Sequence, residues 1–407
     1  MSAQSVEPWL KLLPADPRPW LLESGEPSAR WITLTRLLDS DGADAEARQA
    51  KEALLADPAT LVLIERLPDW DKGITASGHN SPDYAPNILH LLADMGLGAG
   101  DHPRIERFLD QLLARQDEEG RFQAGSKERG QERAHWGALL CDAHIIAEAL
   151  IRFGRADDPR TRRALDRLAA DCAGTSQGFG WPCRPDPVTK FRGPGRRSDF
   201  CPQVTLEALR AFARLPAALR PPRILDAART ALRAWRVRGE EKPYLFGHGR
   251  QFKTVKWPVF WYGAYWVLDT LSRYPGLWHG RGARPEDRRA IAEVAACLVA
   301  YNVGPDGRVV PRSCFQGFAG FSFGQKKTPS AFATARLCVI LRRLGAPAGD
   351  IAAVDVRSLA SSEGGKGTAL PAGGFAEADD LQIEAADIDA QGEGTMLRVG
   401  HECRKFQ

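Results

Sequence analysis

A carboxylate surrounded by apolar side chains is pushed towards its protonated form and can then move a proton. Asp142 is placed this way, inside the apolar run ALLCDAHIIAEALIRFG, with His144 two residues on and His135 just upstream. Asp199 stands before a second apolar run and has two readings, a proton donor or the cap of the helix that contains Pro202. A second group is cationic. Arg196, Arg197, Lys256, Lys326 and Lys327 lie in loops that precede apolar segments, where guanidinium and ammonium groups would meet an anion or stay solvated. A third is aromatic. Trp257, Trp261 and Tyr262 could face an apolar ligand or a cation, or serve as core packing. If they are helical, Trp257 and Trp261 at i, i+4 share a face. Cys141, His144, Cys183 and Cys201 have the ligand types that suit zinc. Cys183 and Cys201 match no compact finger spacing, however, and buried thiols with a hydrogen-bonded histidine are the plainer reading.

These residues need a scaffold, and the pattern of the chain supplies one. Four segments begin with proline and run on with basic and apolar residues at helical spacing: HPRIERFLDQLL, DPRTRRALDRLAA, PPRILDAARTALRAW and RPEDRRAIAEVAACL. Proline in the first turn loses no hydrogen bond and pre-sets φ, and Asp101 and Asp158 are placed as caps. Amphipathic helices of this kind form an outer layer. Between them lie more uniformly apolar segments, beginning near Pro27, Ser81, Ala134, Asp199, Lys256 and Thr328, which read as buried inner helices. The two types alternate at roughly 55–70 residues, a helical-pair repeat. The expected fold is an all-α (α/α)6 toroid over residues 1–345. An acidic, Gly- and Ala-rich C-terminal extension, irregular in pattern, covers 346–407.

Composition narrows the function classes. The chain has 407 residues, 43% hydrophobic and 26% charged, which is enough for a large core. A net charge of +4 is mild and argues against nucleic acid as the partner. No apolar run is long enough to span a bilayer, and no secretory pattern opens the chain, so a cytoplasmic location is expected. There, the eight scattered cysteines would remain thiols.

The alternating helices resemble the toroid of squalene-hopene cyclases and protein prenyltransferase β-subunits, and QDEEGRF looks like the Gln…Gly-aromatic motif of triterpene cyclases. WLLESGEPSARWITLTRLLD, GFGWPC, SDFCPQVTLEALRAFARLP, KWPVFWYGAYWVLDTL and KKTPSAFATARLCVILRRL are similar to small stand-alone bacterial toroids of the squalene-cyclase-like group. That resemblance implies a terpenoid-like ligand, but the motifs that carry the chemistry depart from it. No Asp-x-Asp-Asp acid lies on an inner helix, and Glu377-Ala378-Asp379-Asp380 in the extension imitates it poorly. Asp157-Asp158 is not followed by a magnesium motif. Cys141-Asp142-Ala143-His144 has the zinc-ligand types of a prenyltransferase in another order.

The functional expectation is a cavity that binds a ligand with an apolar body and an anionic head, such as a prenyl diphosphate. The basic loops would hold the head, the aromatics would line the cavity, and Asp142 or His144 would move the proton. One alternative is an acidic-saccharide lyase, for which Tyr262, His135 and Arg133 have the required types. Another is a non-enzymatic scaffold that meets a protein or nucleic acid through its basic rim.

Overall fold

The computed structural model describes residues 7–72, 78, 80–126, 135–186, 197–241 and 246–361. Arg133, Arg196 and the acidic stretch with Asp379 and Asp380 lie outside the described residues.

Helices alternate between an inner and an outer layer. After α1 (Arg18–Leu22), α2 (Pro27–Ile32) is inner and continues as a π-turn over Thr33–Leu37. α3 (Ala45–Ala56) and α4 (Pro58–Glu65) return outside. α5 (Ala85–Met95), α7 (Leu140–Arg152) and α9 (Pro202–Ala213) are inner, and each is followed by an outer helix: α6 (Pro103–Leu113), α8 (Pro159–Asp171) and α10 (Ile224–Arg236). After the short α11 (Arg250–Lys253) come inner α12 (Ala264–Leu271), outer α13 (Pro285–Asn302) and inner α14 (Ala331–Arg343). α15 (Ala348–Ala352) and α16 (Val356–Ser361) then pack on α13.

Among the described residues the six inner helices close into a ring. α2 touches α5, and contacts continue through α7, α9, α12 and α14 back to α2. Their burial follows the sequence pattern. α8 buries one stripe, Thr161, Ala164, Leu165, Leu168 and Asp171, whereas α7 buries nearly every residue from Leu140 to Ile151. The fold is therefore the expected all-α toroid. Among the described residues, strand content is limited to short pairs: antiparallel β1 (Ala124–Ser126) with β2 (His135–Gly137), antiparallel β3 (Ala173–Thr175) with β4 (Gly178–Gly180), and parallel β5 (Lys256–Trp257) with β6 (Ser313–Cys314).

Two inner helices start later than the sequence suggests. α7 begins at Leu140 because His135–Gly137 pairs as β2. α12 begins at Ala264 because Lys256 and Trp257 pair with Ser313 and Cys314. Aromatic and β-branched residues suit an extended strand, so Trp257 and Trp261 share no helix face. The Asp158 cap is present, its carboxylate accepting from the Arg160 N–H at 2.8 Å. Asp101 is not a cap. His102 caps α6 through Nδ1, and Asp101 instead accepts from Gly98 N–H and ion-pairs with Lys51.

Like ends of the inner helices meet. At the N-terminal end, Tyr84, which precedes α5, donates to Asp142 in the first turn of α7 at 2.7 Å. At the C-terminal end, Arg152 of α7 meets Asp94 of α5 at 2.5 Å and Arg343 of α14 meets Asp269 of α12 at 2.6 Å. The ring is thus parallel, with all six N-termini on one mouth and all six C-termini on the other.

Glu26 joins the first and last inner helices. Standing just before α2, it accepts from the Phe332 N–H in the first turn of α14 at 3.1 Å and from the Ser322 hydroxyl and amide. A free N–H of a helix start left without this acceptor would bear a desolvation cost. Glu26→Ala should therefore lower the unfolding free energy by about 1–3 kcal/mol in a urea titration. An unchanged midpoint would show that ring closure does not depend on this clasp.

Candidate active site

Near the N-terminal mouth, Asp142 and Glu207 make no ion pair with an arginine among the described residues. Asp142, in the first turn of α7, is half-buried. Desolvation raises its pKa to about 6, and nearby Asp186 pushes in the same direction. The Tyr84 hydrogen bond pulls it back. Asp186 is held by the Ala138 N–H at 3.1 Å. Its carboxylate lies over Gly137, where an added Cβ would come within 2.5 Å of Oδ2 and the Asp186 side chain would have to shift.

Glu207, on the neighbouring helix α9, is fully buried, with Gln203 donating to its Oε1 at 2.6 Å. Desolvation holds it well above the carboxylate range, and proximity to Asp142 adds to the shift. Its Oε2 has no hydrogen-bond partner among the described residues. Burial thus pushes both carboxyls towards the protonated form, Glu207 the more strongly, and Asp142 adds to the shift at Glu207. Such a pair supplies a base and an acid at one place. Sequence reasoning missed Glu207, Gln203 and Tyr84. The signal for Glu207 was there: like Asp142, it interrupts an apolar inner helix, and Gln203 stands one turn before it.

The other candidates are distributed differently. His144 is bonded elsewhere than to Asp142, its Nδ1–H donating to the Val204 carbonyl at 3.1 Å and its ring edge-on to Trp181. Burial lowers its pKa to about 4, so it stays neutral and serves packing. Asp199 neither caps α9, where Cys201 holds that position, nor joins Asp142. It accepts from Ser176 and Gln177 at 3.0 and 2.9 Å and fixes the turn between β3 and β4. His135 lies on β2, paired in register with Ser126. Tyr262 pairs with His248 at 2.8 Å rather than with His135.

The aromatic and cationic groups follow the plainer readings in part. Trp257 is buried against Tyr265 and Phe332. Trp261 stacks on Phe246, and Tyr262 meets the same ring edge-on. One cavity between α5, α9, α12, α14 and the Trp257–Phe260 segment is about 10 Å³. That is about one water, so Trp257 and its neighbours leave no terpenoid-sized space in this cavity. Lys256 and Lys326 are exposed and close enough to Cys314 for both charges to act on its thiol. Lys327 and Arg197 are exposed as well. Cys141, Cys183 and Cys201 lie near one another, and desolvation pushes the Cys141 and Cys201 thiols up, against thiolate. With His144 bonded to Val204, the described residues contain no group of three His, Cys, Asp or Glu able to hold a metal ion. Nor do they contain a helix long and apolar enough to cross a membrane.

No family model and no curated protein matches the chain. Among solved structures, an unsaturated glucuronyl hydrolase, UGL with dGlcA-Glc-Rha-Glc, is similar. It is 17% identical, the match covers 78% of this chain and 85% of that chain, and the TM-score is 0.40. None of these comparisons supports membership of the terpenoid cyclases; what stands is the α/α toroid.

The environment of Asp142 leads to a measurable expectation. A carboxyl ¹³C titration should place its midpoint near 6, matching the shift that burial produces. Because the Tyr84 hydrogen bond favours the ionised form, Tyr84→Phe should move that midpoint upward. A midpoint in the ordinary aspartate range, or one that does not respond to Tyr84→Phe, would remove the basis for treating Asp142 as a tuned group.

Proposed function

We propose that this chain is an acid–base enzyme acting on a saccharide at the N-terminal mouth of its inner ring. The observation that carries the reading is the pair of Asp142, half-buried and bonded to Tyr84, and Glu207, fully buried on the neighbouring helix, both raised by desolvation and Glu207 the more strongly. Cleavage at a glycosidic oxygen, by hydrolysis or by elimination, needs one group to take a proton and one to return it to the leaving oxygen. Asp142, half-buried and oriented by Tyr84, is the base, and Glu207 is the acid. The setting of Tyr84, Asn87, Gln203 and backbone amides suits a hydroxyl-rich ligand better than a prenyl chain. Exposed Lys256 and Lys326 precede inner helices that open on the same mouth and suit an acidic sugar, whose carboxylate they would neutralise. A prenyl diphosphate would need a chamber of hundreds of Å³, against the water-sized space of the cavity beside Trp257.

One observation favours a second reading. A cavity filled by side chains is also what a non-enzymatic scaffold would have, its buried groups serving the fold alone.

A panel of neutral and uronate-containing oligosaccharides, assayed for new reducing ends and for unsaturated product, separates the two. Turnover should occur with an acidic member. Asp142→Asn and Glu207→Gln should each lower kcat by about 10²–10⁴-fold, the usual range for loss of one proton-transfer group. The acidic limb of the pH profile should have a midpoint near 6, since the base must be ionised. No turnover across the panel, or full activity in Asp142→Asn, would leave the scaffold as the better account.

A further inference from the structure

The opposite mouth carries a charge imbalance that acid–base chemistry at Asp142 does not use. Each inner helix ends in charged residues. These are Arg36 after α2, Asp94 on α5, Glu148 and Arg152 on α7, Arg210 and Arg214 at the end of α9, Asp269 and Arg273 at the end of α12, and Arg336 and Arg343 on α14. The parallel ring brings them together. Asp94 is shared by Arg152 at 2.5 Å and Arg336 at 3.0 Å. Glu148 is shared by Arg210 at 3.0 Å and Arg214 at 3.3 Å. Asp269 is shared by Arg343 at 2.6 Å, Arg273 at 3.3 Å and Arg336 at 4.0 Å.

Among the described residues, seven arginines therefore meet three carboxylates, an excess of four positive charges. His90 adds none. Its Nε2–H donates to the Ile145 carbonyl, its Nδ1 accepts from Arg152, and burial among arginines lowers its pKa to about 4. Glu207 makes no ion pair with these arginines among the described residues and is bonded to Gln203 instead.

The plainer account is that the arginines satisfy helix ends. It explains part of the cluster. Arg152 donates to the His90 carbonyl within α5, and Arg343 to the Asp269 carbonyl in the last turn of α12. The C-terminal partial charges, about −0.5 per helix, also attract cations. It does not explain Arg36. This side chain is exposed at the rim, has no hydrogen bond or ion pair among the described residues, and faces Arg336, Arg152 and Arg343 with no carboxylate beside it. Arg214 and Arg273 are likewise held below the usual guanidinium range, by desolvation first and then by neighbouring arginines, Arg273 to about 10. Arg214, Arg273 and Arg343 keep about a fifth of their side-chain surface exposed, at 22%, 20% and 21%. The cluster is thus buried and tied down at its base, while Arg36 stands exposed at the rim and Arg214, Arg273 and Arg343 keep part of their surface towards solvent.

We propose that the C-terminal mouth of the inner ring binds a multiply charged oxyanion, of the phosphate or diphosphate class, between Arg36, Arg214, Arg273 and Arg343. Planar guanidinium forks match phosphate oxygens in pairs. One such anion neutralises most of the excess charge without displacing an existing ion pair. The site is separate from the Asp142 mouth and stands whether or not that mouth is catalytic.

Isothermal titration of the full chain with inorganic pyrophosphate at low ionic strength should show saturable binding at one site, accompanied by a rise in Tm. Arg36→Ala removes no hydrogen bond and should fold with an unchanged circular dichroism spectrum. It should weaken pyrophosphate binding at least tenfold, and Arg36→Glu should abolish it. Lys326→Ala, at the opposite mouth, should bind as wild type does. Orthophosphate should bind more weakly than pyrophosphate if charge number matters. Absence of saturable binding, or equal affinity in Arg36→Glu, would overturn the proposal and leave the arginines as helix-end partners. Loss of binding in Lys326→Ala rather than Arg36→Ala would place the anion at the other mouth and overturn it as well.

Discussion

The constraint on which the structure turns is that six inner helices run parallel in a closed ring. Parallel packing brings like ends together, so unsatisfied N–H groups gather at one mouth and unsatisfied carbonyls at the other. Adjacent dipoles in the same sense repel, and the chain answers at the carbonyl end with arginines. Their charge opposes the dipole ends and their donors reach the free carbonyls. Glu148, Asp94 and Asp269 then hold those arginines apart from one another. All three carboxylates are kept below their usual range despite burial, Glu148 chiefly by Arg210 and Asp94 chiefly by Arg152. Removing one member would strand a buried charge, at a cost of several kcal/mol. The contribution of the lattice to stability is therefore present above the ordinary carboxylate pKa and is lost as pH falls below it.

The same geometry explains why the two mouths differ chemically. At the C-terminal end, carboxylates sit among guanidiniums and stay ionised. At the N-terminal end, Asp142 and Glu207 make no ion pair with an arginine among the described residues, and desolvation drives both upward. Identical functional groups thus acquire opposite protonation behaviour from their distance to the arginine lattice. Arg210, one turn beyond Glu207 on α9, marks the crossover: it pairs with Glu148 and only moderates Glu207. Between the two ends the Trp257–Phe260 segment packs against Phe332 and Tyr265.

What the sequence determined by itself was the layer structure. Prolines at helix starts, one apolar stripe on segments such as Pro159–Asp171 and apolar character all round on Leu140–Arg152 follow from local propensity and periodicity, and these survive in the structure. Asp142 was legible for the same reason, as a charge in an apolar helix. Only tertiary structure decided the rest. Lys256 and Trp257 became a strand because Ser313 and Cys314 lie alongside them, a partner more than fifty residues away. His144 and Asp199 left the site because a helical face or a turn can point either way until its neighbours are placed. The arginines at the helix ends read one at a time as solvated termini. Their meaning depends on ring closure, since charge is local to each helix in the sequence and becomes collective only where six ends converge.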